Sequence, residues 1–164
     1  MLIVQIDSTS LAHTQHRLFH DIFVLLDDGD RRALEVTRLT PMEFAVLQRL
    51  DTLEGRRLTD VGAELLCVKS TITRVVDRLE RAGLVNRTPD PDDRRAQRLT
   101  LTRRGEDVRN QAMVLHNNAI ERRMSLLSED EQAQLSSLLE KLRCGLRQDL
   151  GEAENPFFND DVME

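Results

Sequence analysis

Apolar residues recur at helical spacing in the N-terminal part of the chain, which predicts an amphipathic helix from about Ser8 to Asp28. The apolar stripe of this helix consists of Leu11, Leu18, Phe19, Ile22, Phe23 and Leu26. The polar run from Asp27 to Asp30 contains a glycine, and we expect it to end the helix.

A second helix is predicted to begin at Thr40, where the sequence carries a strong start signal. Thr40 can cap the helix, Pro41 suits the first helical position, and Glu43 can close a capping box. The helix presents one buried stripe, formed by Phe44, Leu47 and Leu50. This pattern fades at residues 54–57, which are predicted to form a polar turn.

Two short helices with a tight junction are predicted next. The first is expected to be capped by Thr59 and to break around Cys67. The second begins at residue 69 or 70 and runs to Ala82, after which Gly83 supplies the left-handed residue that ends it. This is the helix-turn-helix pattern, although helical hairpins without a role in nucleic-acid binding share it.

A β-hairpin is predicted directly after these helices. Its strands run from Leu84 to Pro89 and from Arg98 to Thr102, and a turn lies at Asp90–Asp93. In the second strand Leu99 and Leu101 alternate with polar residues, which is the period of a half-buried strand. A helix-turn-helix followed by such a hairpin is a winged helix.

Two long helices are predicted after the wing, from about Thr102 to Ser125 and from Glu129 to Asp149. The last helix opens with a capping box at residues 128–131 and carries a continuous apolar stripe, formed by Leu135, Leu138, Leu139 and Leu142. A stripe of this width needs a partner surface. It can pack within the monomer or, as we favour, build a two-fold dimer with the first helix.

These elements predict a mainly α fold with a small β wing, in which a winged helix-turn-helix lobe sits on a helical dimerisation scaffold. We expect the DNA-binding lobe to span residues 39–102 and the dimerisation region to combine residues 1–38 with residues 103–150. The acidic tail, residues 151–164, is expected to be disordered or to dock through Phe157 and Phe158 on a neighbouring helix.

Composition is that of a helix-rich globular protein with one compact unit: 164 residues, of which 40% are hydrophobic and 32% charged. No apolar run approaches the roughly 20 residues that cross a bilayer, and the N-terminus lacks the basic flank of a signal peptide. A cytoplasmic protein with no membrane partner is therefore expected. The two cysteines, Cys67 and Cys144, are too few for a disulfide framework and show no metal-ligand spacing.

Charge is distributed unevenly along a chain whose formal net charge is −6. The segment from Lys69 to Arg104 contains ten basic residues against five acidic ones, so the rest of the chain is strongly acidic. An acidic body with one basic strip predicts contact with double-stranded DNA along one face. The alternative is a solvated helix face with mixed charges.

The second helix of the helix-turn-helix is predicted to read DNA. Its buried side is marked at i, i+3, i+4 and i+7 by Ile72, Val75, Val76 and Leu79. The opposite side presents hydroxyl and guanidinium groups suited to the major groove, on Ser70, Thr71, Thr73, Arg74 and Arg78. We expect Arg74 to contact a base and Arg78 to contact phosphate. The alternative for each arginine is an exposed ion pair with a helical acid.

The turn of the hairpin carries Asp93, Arg94 and Arg95, where nothing can bury them. A guanidinium group held out on such a tip suits the narrow minor groove, whose negative potential attracts it. Asp93 is expected to orient a neighbouring arginine and to shape the turn. The alternative is a charged loop tip without a role.

At these residues the chain resembles the MarR family of bacterial transcriptional regulators, from the first helix to about residue 149. The stretch most typical of the family spans Asp90–Gly105, DPDDRRAQRLTLTRRG, and the run STITRVVDRLERAGLV from Ser70 to Val85 is similar to the family's recognition helix. The resemblance implies a triangular homodimer in which each lobe binds half of a pseudo-palindromic operator. It also implies repression or, less often, activation of nearby genes, often relieved by a small phenolic or other lipophilic effector.

By this resemblance Arg95 is the wing residue that enters the minor groove, and Asp93 occupies the acidic position of the same signature. Arg98 departs from the family, whose members usually carry an apolar strand residue at this position. Either the strand pairing is shifted or Arg98 adds a phosphate contact.

Effectors of the family bind between the dimer helices and the winged lobe. Here that region would be lined from helices one, two and five, with His16, His20, Met42, Met113 and His116 as candidates. Ordinary core or surface positions are the alternative for each. The chain has no Tyr or Trp, so the sequence does not support a specific aromatic clamp for a phenolic ligand.

Other function classes fit less well. A winged-helix module that binds proteins instead of DNA and a thiol-based redox-sensing regulator stay as alternatives, although the reactive cysteine and tyrosines of redox-sensing relatives are missing from the first helix. His16 and His20 lie four residues apart, but no further cluster completes a site, so no metal is expected. No cofactor and no enzymatic activity are expected, because phosphate-binding loops, nucleophile elbows and paired catalytic carboxylates are absent from the sequence.

Overall fold

The computed structural model describes residues 10–93 and 95–149, which form a mainly helical fold with a small antiparallel sheet. This confirms the predicted fold class. Along the described residues the elements are α1 (Leu11–Leu34), a short 3-10 turn (Glu35–Thr37), α2 (Pro41–Gln48), β1 (Arg56–Arg57), α3 (Leu58–Glu64), α4 (Lys69–Arg81), β2 (Val85–Pro89), β3 (Gln97–Leu101), α5 (Arg103–Met124) and α6 (Glu129–Asp149).

The prediction that the first helix ends at Asp28 is wrong. α1 begins after the capping residue Ser10 and continues to Leu34, which is completely buried. The acidic run is compatible with a helix because its carboxylates pair with arginines one turn later, as in the Arg32–Asp28 pair at 2.8 Å. Burial of Leu34 in the core then stabilises the last turn.

The capping box at the start of α2 is confirmed. The backbone N–H of Thr40 donates to Glu43 Oε2 at 2.8 Å, and the N–H of Glu43 donates to Thr40 Oγ1 at 3.2 Å. Phe44, Leu47 and Leu50 are buried as the pattern predicts. The cap therefore fixes where the chain enters the lobe.

The helix-turn-helix consists of α3 and α4. Thr59 does not cap α3, because the helix begins at Leu58 and its N-cap is Arg57. Leu66 adopts a left-handed φ of 50° in the junction, and α4 ends where Gly83, with a φ of 70°, turns the chain into the wing.

The wing is the predicted antiparallel hairpin, with Val85 opposite Leu101 and Pro89 opposite Gln97. The sheet has a third strand, β1, on the other side of β3, so that the strand order is β1-β3-β2. The prediction of a polar turn at residues 54–57 is thus wrong at its last two residues, which pair with β3. This pairing attaches the start of α3 to the wing.

The core lies inside the winged lobe. Buried apolar side chains from α2, α3, α4 and the sheet form one cluster with the end of α1 and with Ala112 of α5. The core holds α4 against the sheet.

α6 is different, because none of its described residues is buried. Its apolar stripe and much of the apolar surface of α1 face outward within a single chain. None of the helices in residues 10–93 and 95–149 combines the length and the apolarity that a membrane span requires.

Candidate nucleic-acid interface

α4 presents one buried and one exposed side. Its four predicted core residues are at most 4% exposed, which confirms the assignment of the buried side. On the other side Ser70, Thr71, Arg74 and Arg78 are exposed. Thr73 is half-buried, and its hydroxyl donates to the Lys69 carbonyl at 2.7 Å. α4 therefore offers a surface of short hydroxyls and two long cations.

The Arg78 guanidinium is held by an acidic residue of another helix. Its Nε lies 2.9 Å from Glu43 Oε1, while half of the Arg78 side chain stays exposed. Glu43 is nearly buried and also closes the α2 capping box. The pair ties α4 to α2 and leaves the Arg78 guanidinium only partly available to a phosphate.

Arg87 belongs to the basic strip of the sequence but is withdrawn from the surface. It pairs with Asp77, and its Nε lies 3.2 Å from Glu80 Oε2. Only 15% of the side chain is exposed. Arg87 joins β2 to α4, so its charge is neutralised within the lobe.

Four exposed cations of the lobe have no ion pair with a described acidic residue. They are Lys69, Arg74 and Arg81 on α4 and Arg95 on the wing turn, and Arg81 donates through Nε to the backbone carbonyl of Asp77 at 3.1 Å. They carry positive charge that the described part of the chain does not neutralise. Such cations are the ones that a polyanion attracts most strongly.

Asp93 shapes the wing turn through the backbone. Its Oδ1 accepts the N–H of Arg95 at 2.9 Å, and its carbonyl accepts the N–H of Ala96 at 2.8 Å. The Arg95 side chain is exposed at the end of this turn. The predicted contact residue Arg94 lies outside the described residues.

Asp90, at the start of the turn, is almost completely buried, with an exposed fraction of 1%. Its Oδ2 accepts from Arg57 Nε at 2.8 Å and from Arg98 Nε at 2.9 Å. Its Oδ1 accepts from Arg57 Nη2 at 3.1 Å and from the backbone N–H groups of Asp92 and Asp93. The carboxylate is thus fully hydrogen-bonded.

The Arg57 guanidinium holds the pKa of Asp90 well below its ordinary range, and the N–H groups of the turn and Arg98 lower it further. Because the pKa falls on folding, ionised Asp90 stabilises the fold above the unfolded-state pKa of about 4. That contribution is lost as the pH falls below this value.

Arg98 faces this buried carboxylate instead of extending from the wing. Besides its bond to Asp90 it donates through Nη1 to the carbonyls of Glu54 and Gly55, both at 3.3 Å. Its position opposite Thr88 and Arg57 belongs to a regular ladder. The structure therefore favours neither a shifted strand nor a phosphate contact for Arg98.

No pattern in the sequence predicts that Arg57 and Asp90 belong to one cluster. They are 33 residues apart in the chain and meet only because β1 pairs with β3. A two-residue polar strand has no hydrophobic period, so no local signal indicated this contact. The buried carboxylate became visible only in the fold.

The five predicted effector residues do not form one pocket in a single chain. His16 and His20 are exposed on α1, and Met113 is 39% exposed on α5. Met42 packs against the core beside Cys67. Only His116 lines a depression of about 230 Å³ between α1 and α5, together with Leu26, Asp30, Ile120, Arg123 and Met124.

His116 lies where the helical scaffold meets the lobe. Its ring packs on that of Phe44 with the ring centroids 5.2 Å apart, and its Nε2 lies 3.3 Å from Asp30 Oδ1. Asp30 also pairs with Arg123 at 2.7 Å. The depression is therefore lined by both apolar and charged side chains.

Comparison with known proteins identifies similar sequences. The sequence model of the MarR family matches residues 39–96. The chain is 36% identical over 130 residues to the HTH-type transcriptional regulator YkoM of Bacillus subtilis, covering 79% of this chain and 84% of that protein. It is 33% identical over 123 residues to the HTH-type transcriptional regulator MhqR of the same organism, covering 75% of this chain and 85% of that protein.

A solved structure with a similar fold is that of the transcriptional repressor CouR bound to a 23-mer DNA duplex. The TM-score is 0.70 at 28% sequence identity, and the match covers 87% of this chain and 99% of that chain. The similarity extends over the lobe and the long helices.

Proposed function

Because this chain belongs to the MarR family of transcriptional regulators, we propose that it is a homodimeric repressor that binds a pseudo-palindromic DNA operator in a sequence-specific manner. The lobe at residues 39–102 is the DNA-binding unit in this proposal, and the helices at residues 1–38 and 103–150 are the dimerisation region. The name of CouR as a DNA-bound transcriptional repressor supports both DNA binding and repression.

The main support for DNA binding comes from two exposed arginines on different elements of one lobe. Neither arginine has an ion pair with a described acidic residue. Arg74 lies on the exposed side of α4, and Arg95 lies on the wing turn. A helix of this kind fits the major groove, where arginine can bond a guanine edge with two hydrogen bonds. Arg95 fits the adjacent minor groove. Ser70, Thr71 and Thr73 allow close approach of the helix to the bases.

Dimerisation is supported by the apolar surface that a single chain leaves uncovered. α6 has no buried residue, yet Leu138 is 66% exposed and Leu146 is 51% exposed. On α1 Phe23 is 69% exposed. A helix in a protein draws most of its stability from tertiary packing, and contiguous apolar patches of this kind mark interfaces. A two-fold interface would cover both helices.

Release by a small lipophilic effector is part of the proposal. The depression beside His116 lies between α1, which belongs to the dimerisation region, and α5, which enters the lobe. A ligand there would contact both parts and could favour one arrangement of the lobes over another. The effector's identity is a matter for direct binding measurements.

Replacing Arg95 by Ala is expected to weaken binding to a specific duplex by about 1 to 3 kcal/mol, the cost of a lost groove contact. The duplex is first selected from a randomised pool with the unaltered protein, and affinity is then measured by fluorescence anisotropy. The matched control is Arg32→Ala, which removes an exposed arginine of α1 that pairs only with Asp28. Equal affinities for the Arg95→Ala and Arg32→Ala variants would contradict a role for the wing in DNA binding.

Binding is expected to weaken by roughly a thousandfold between 50 and 200 mM salt, because each protomer brings the positive charges of Lys69, Arg74 and Arg95 to the duplex, which then releases condensed counterions. The measurement is the slope of log affinity against log salt concentration. A flat slope would favour a module that binds proteins through this face. Specific binding with the steep slope supports the regulator.

A further inference from the structure

Asp90 is a buried carboxylate that the proposed DNA contacts do not use. It is inaccessible to DNA, and it bonds two arginines from two strands and two backbone N–H groups of the wing turn. A buried charge with so many partners needs an explanation beyond the stability it gives, because an ion pair of this kind is often no more stabilising than apolar residues of the same size.

Arg57 donates to both oxygens of Asp90, through Nε to Oδ2 and through Nη2 to Oδ1 at 3.1 Å, but the other partners of the two oxygens differ. Oδ1 accepts the N–H groups of Asp92 at 2.9 Å and Asp93 at 3.0 Å, and so closes the turn that leads to Arg95. Oδ2 accepts the Nε atoms of Arg57 and Arg98, which belong to β1 and β3. One carboxylate thus links the turn on one side to the sheet on the other.

Arg57 extends this link to the helix-turn-helix. It is the residue immediately before α3, and it serves as the N-cap of that helix. The Arg57–Asp90 pair therefore ties the start of the helix-turn-helix to the base of the wing turn. α3 in turn packs closely on α4, because Gly62 of α3 lies against Ile72 of α4. A Cβ atom added at Gly62 would lie 3.1 Å from Ile72 Cγ2. The major-groove helix and the minor-groove arginine are connected through one buried carboxylate.

We propose that Asp90 is a positioning residue for DNA recognition: through Arg57 and Arg98 it holds the wing turn at a fixed distance from α4, so that Arg95 meets the minor groove when α4 occupies the major groove. This inference rests on the proposed function. Asp90 acts through Arg95 and does not touch DNA itself. Preorganisation of this kind raises affinity by lowering the ordering cost of binding.

The discriminating variant is Asp90→Asn. The amide can keep a carbonyl oxygen toward the turn N–H groups, but it places an NH₂ group where Oδ2 accepts from two arginines. Both bonds from the sheet to Oδ2 are then lost and only the Arg57 Nη2 bond to Oδ1 is left, while the turn keeps its own hydrogen bonds. Arg57→Gln is the second variant, because it breaks the same link from the other end and leaves the carboxylate with Arg98.

The experiment is a double-mutant cycle between these variants and Arg95→Ala on the selected duplex. In the unaltered protein the loss of Arg95 is expected to weaken binding about tenfold to a hundredfold. In the Asp90→Asn and Arg57→Gln backgrounds the same loss should weaken binding less than about threefold, because the arginine is no longer aligned. If Asp90 and Arg57 only stabilised the fold, the fold-loss from Arg95→Ala would be the same in every background, and the losses would multiply.

The matched control background is Asp51→Asn. Asp51 also closes a turn through its side chain, accepting the N–H groups of Leu53 and Glu54 at 2.7 Å, but among the described residues its side chain makes no hydrogen bond to the wing turn, Arg57 or Arg98. There the Arg95→Ala loss should keep its full size. Equal Arg95→Ala losses in all backgrounds would overturn the inference while leaving DNA binding intact. No loss in the unaltered protein would contradict the wing contact itself, and with it the inference.

Discussion

The Leu142→Glu variant is expected to sediment as a monomer of 18.8 kDa, whereas the unaltered protein is expected to sediment at twice this mass. Leu142 lies within the apolar stripe of α6 and is 42% exposed in a single chain. In the proposed dimer the substitution would place an unpaired carboxylate from each copy in the interface. Burying such charges costs several kcal/mol per ion, so the dissociation constant should rise at least about a thousandfold.

The loss of the dimer should also reduce binding to a duplex with two half-sites to the level of a single half-site, because the gain from linking two lobes disappears. The matched control is Ser137→Glu, which adds the same charge to an exposed position on the other side of α6. This control is expected to remain a dimer. If Leu142→Glu also remained a dimer, the α6 stripe would not be an interface, and helix packing within one chain would have to cover it.

The helix-turn-helix and the wing could be predicted because each of their boundaries has a local chemical signal. The capping box at Thr40 and Glu43 starts α2, and Gly83 ends α4 at a positive φ. The i, i+3, i+4, i+7 pattern of α4 marks its buried side because that side packs on one continuous core. These signals act over three or four residues, so a single sequence contains them in full.

The end of α1 could not be placed in the same way. Four polar residues with a glycine are a typical helix terminus, and the local pattern alone favours one. The helix continues because Asp30 pairs with His116 and Arg123 of α5, and because Leu34 enters the core. These contacts join residues that are far apart in sequence, and tertiary packing overrides the local preference.

The contacts at the base of the wing also could not be predicted from the local sequence. Arg98 stands where members of the family usually carry an apolar strand residue, which predicts either a shifted strand or a phosphate contact. The fold supplies a partner for Arg98, because β1 brings Arg57 beside it and the turn brings Asp90 beneath it. Which arginines are free for DNA therefore depends on pairings that the sequence does not reveal. Arg74 and Arg95 are predicted contact residues from the sequence, and the fold adds that both are exposed without an ion pair to a described acidic residue.

Replacing Gly105 by Ala is expected to destabilise the protein by about 3 kcal/mol or more, with a fall in Tm of about 10 °C at fixed protein concentration. A Cβ atom at Gly105 would lie 1.9 Å from the backbone oxygen of Leu84. That oxygen already accepts the N–H of Thr102 at 3.0 Å, where the chain leaving the recognition helix crosses the start of α5. The Leu84 oxygen and the Gly105 Cα are both backbone atoms, so neither can move aside as the end of a flexible side chain would.

The control is Arg104→Ala, one residue earlier in the same turn of α5 and exposed. It should change the free energy of unfolding by less than about 0.5 kcal/mol, as is usual for surface positions. In the proposed dimer α5 connects the lobe to the dimerisation helices, so the displacement caused by Gly105→Ala should also weaken binding to a two-half-site duplex more than to a single half-site. Unchanged thermal unfolding of Gly105→Ala would mean that α5 and the exit of α4 do not cross as closely as this packing requires, and the fixed spacing of the two lobes would lose its structural basis.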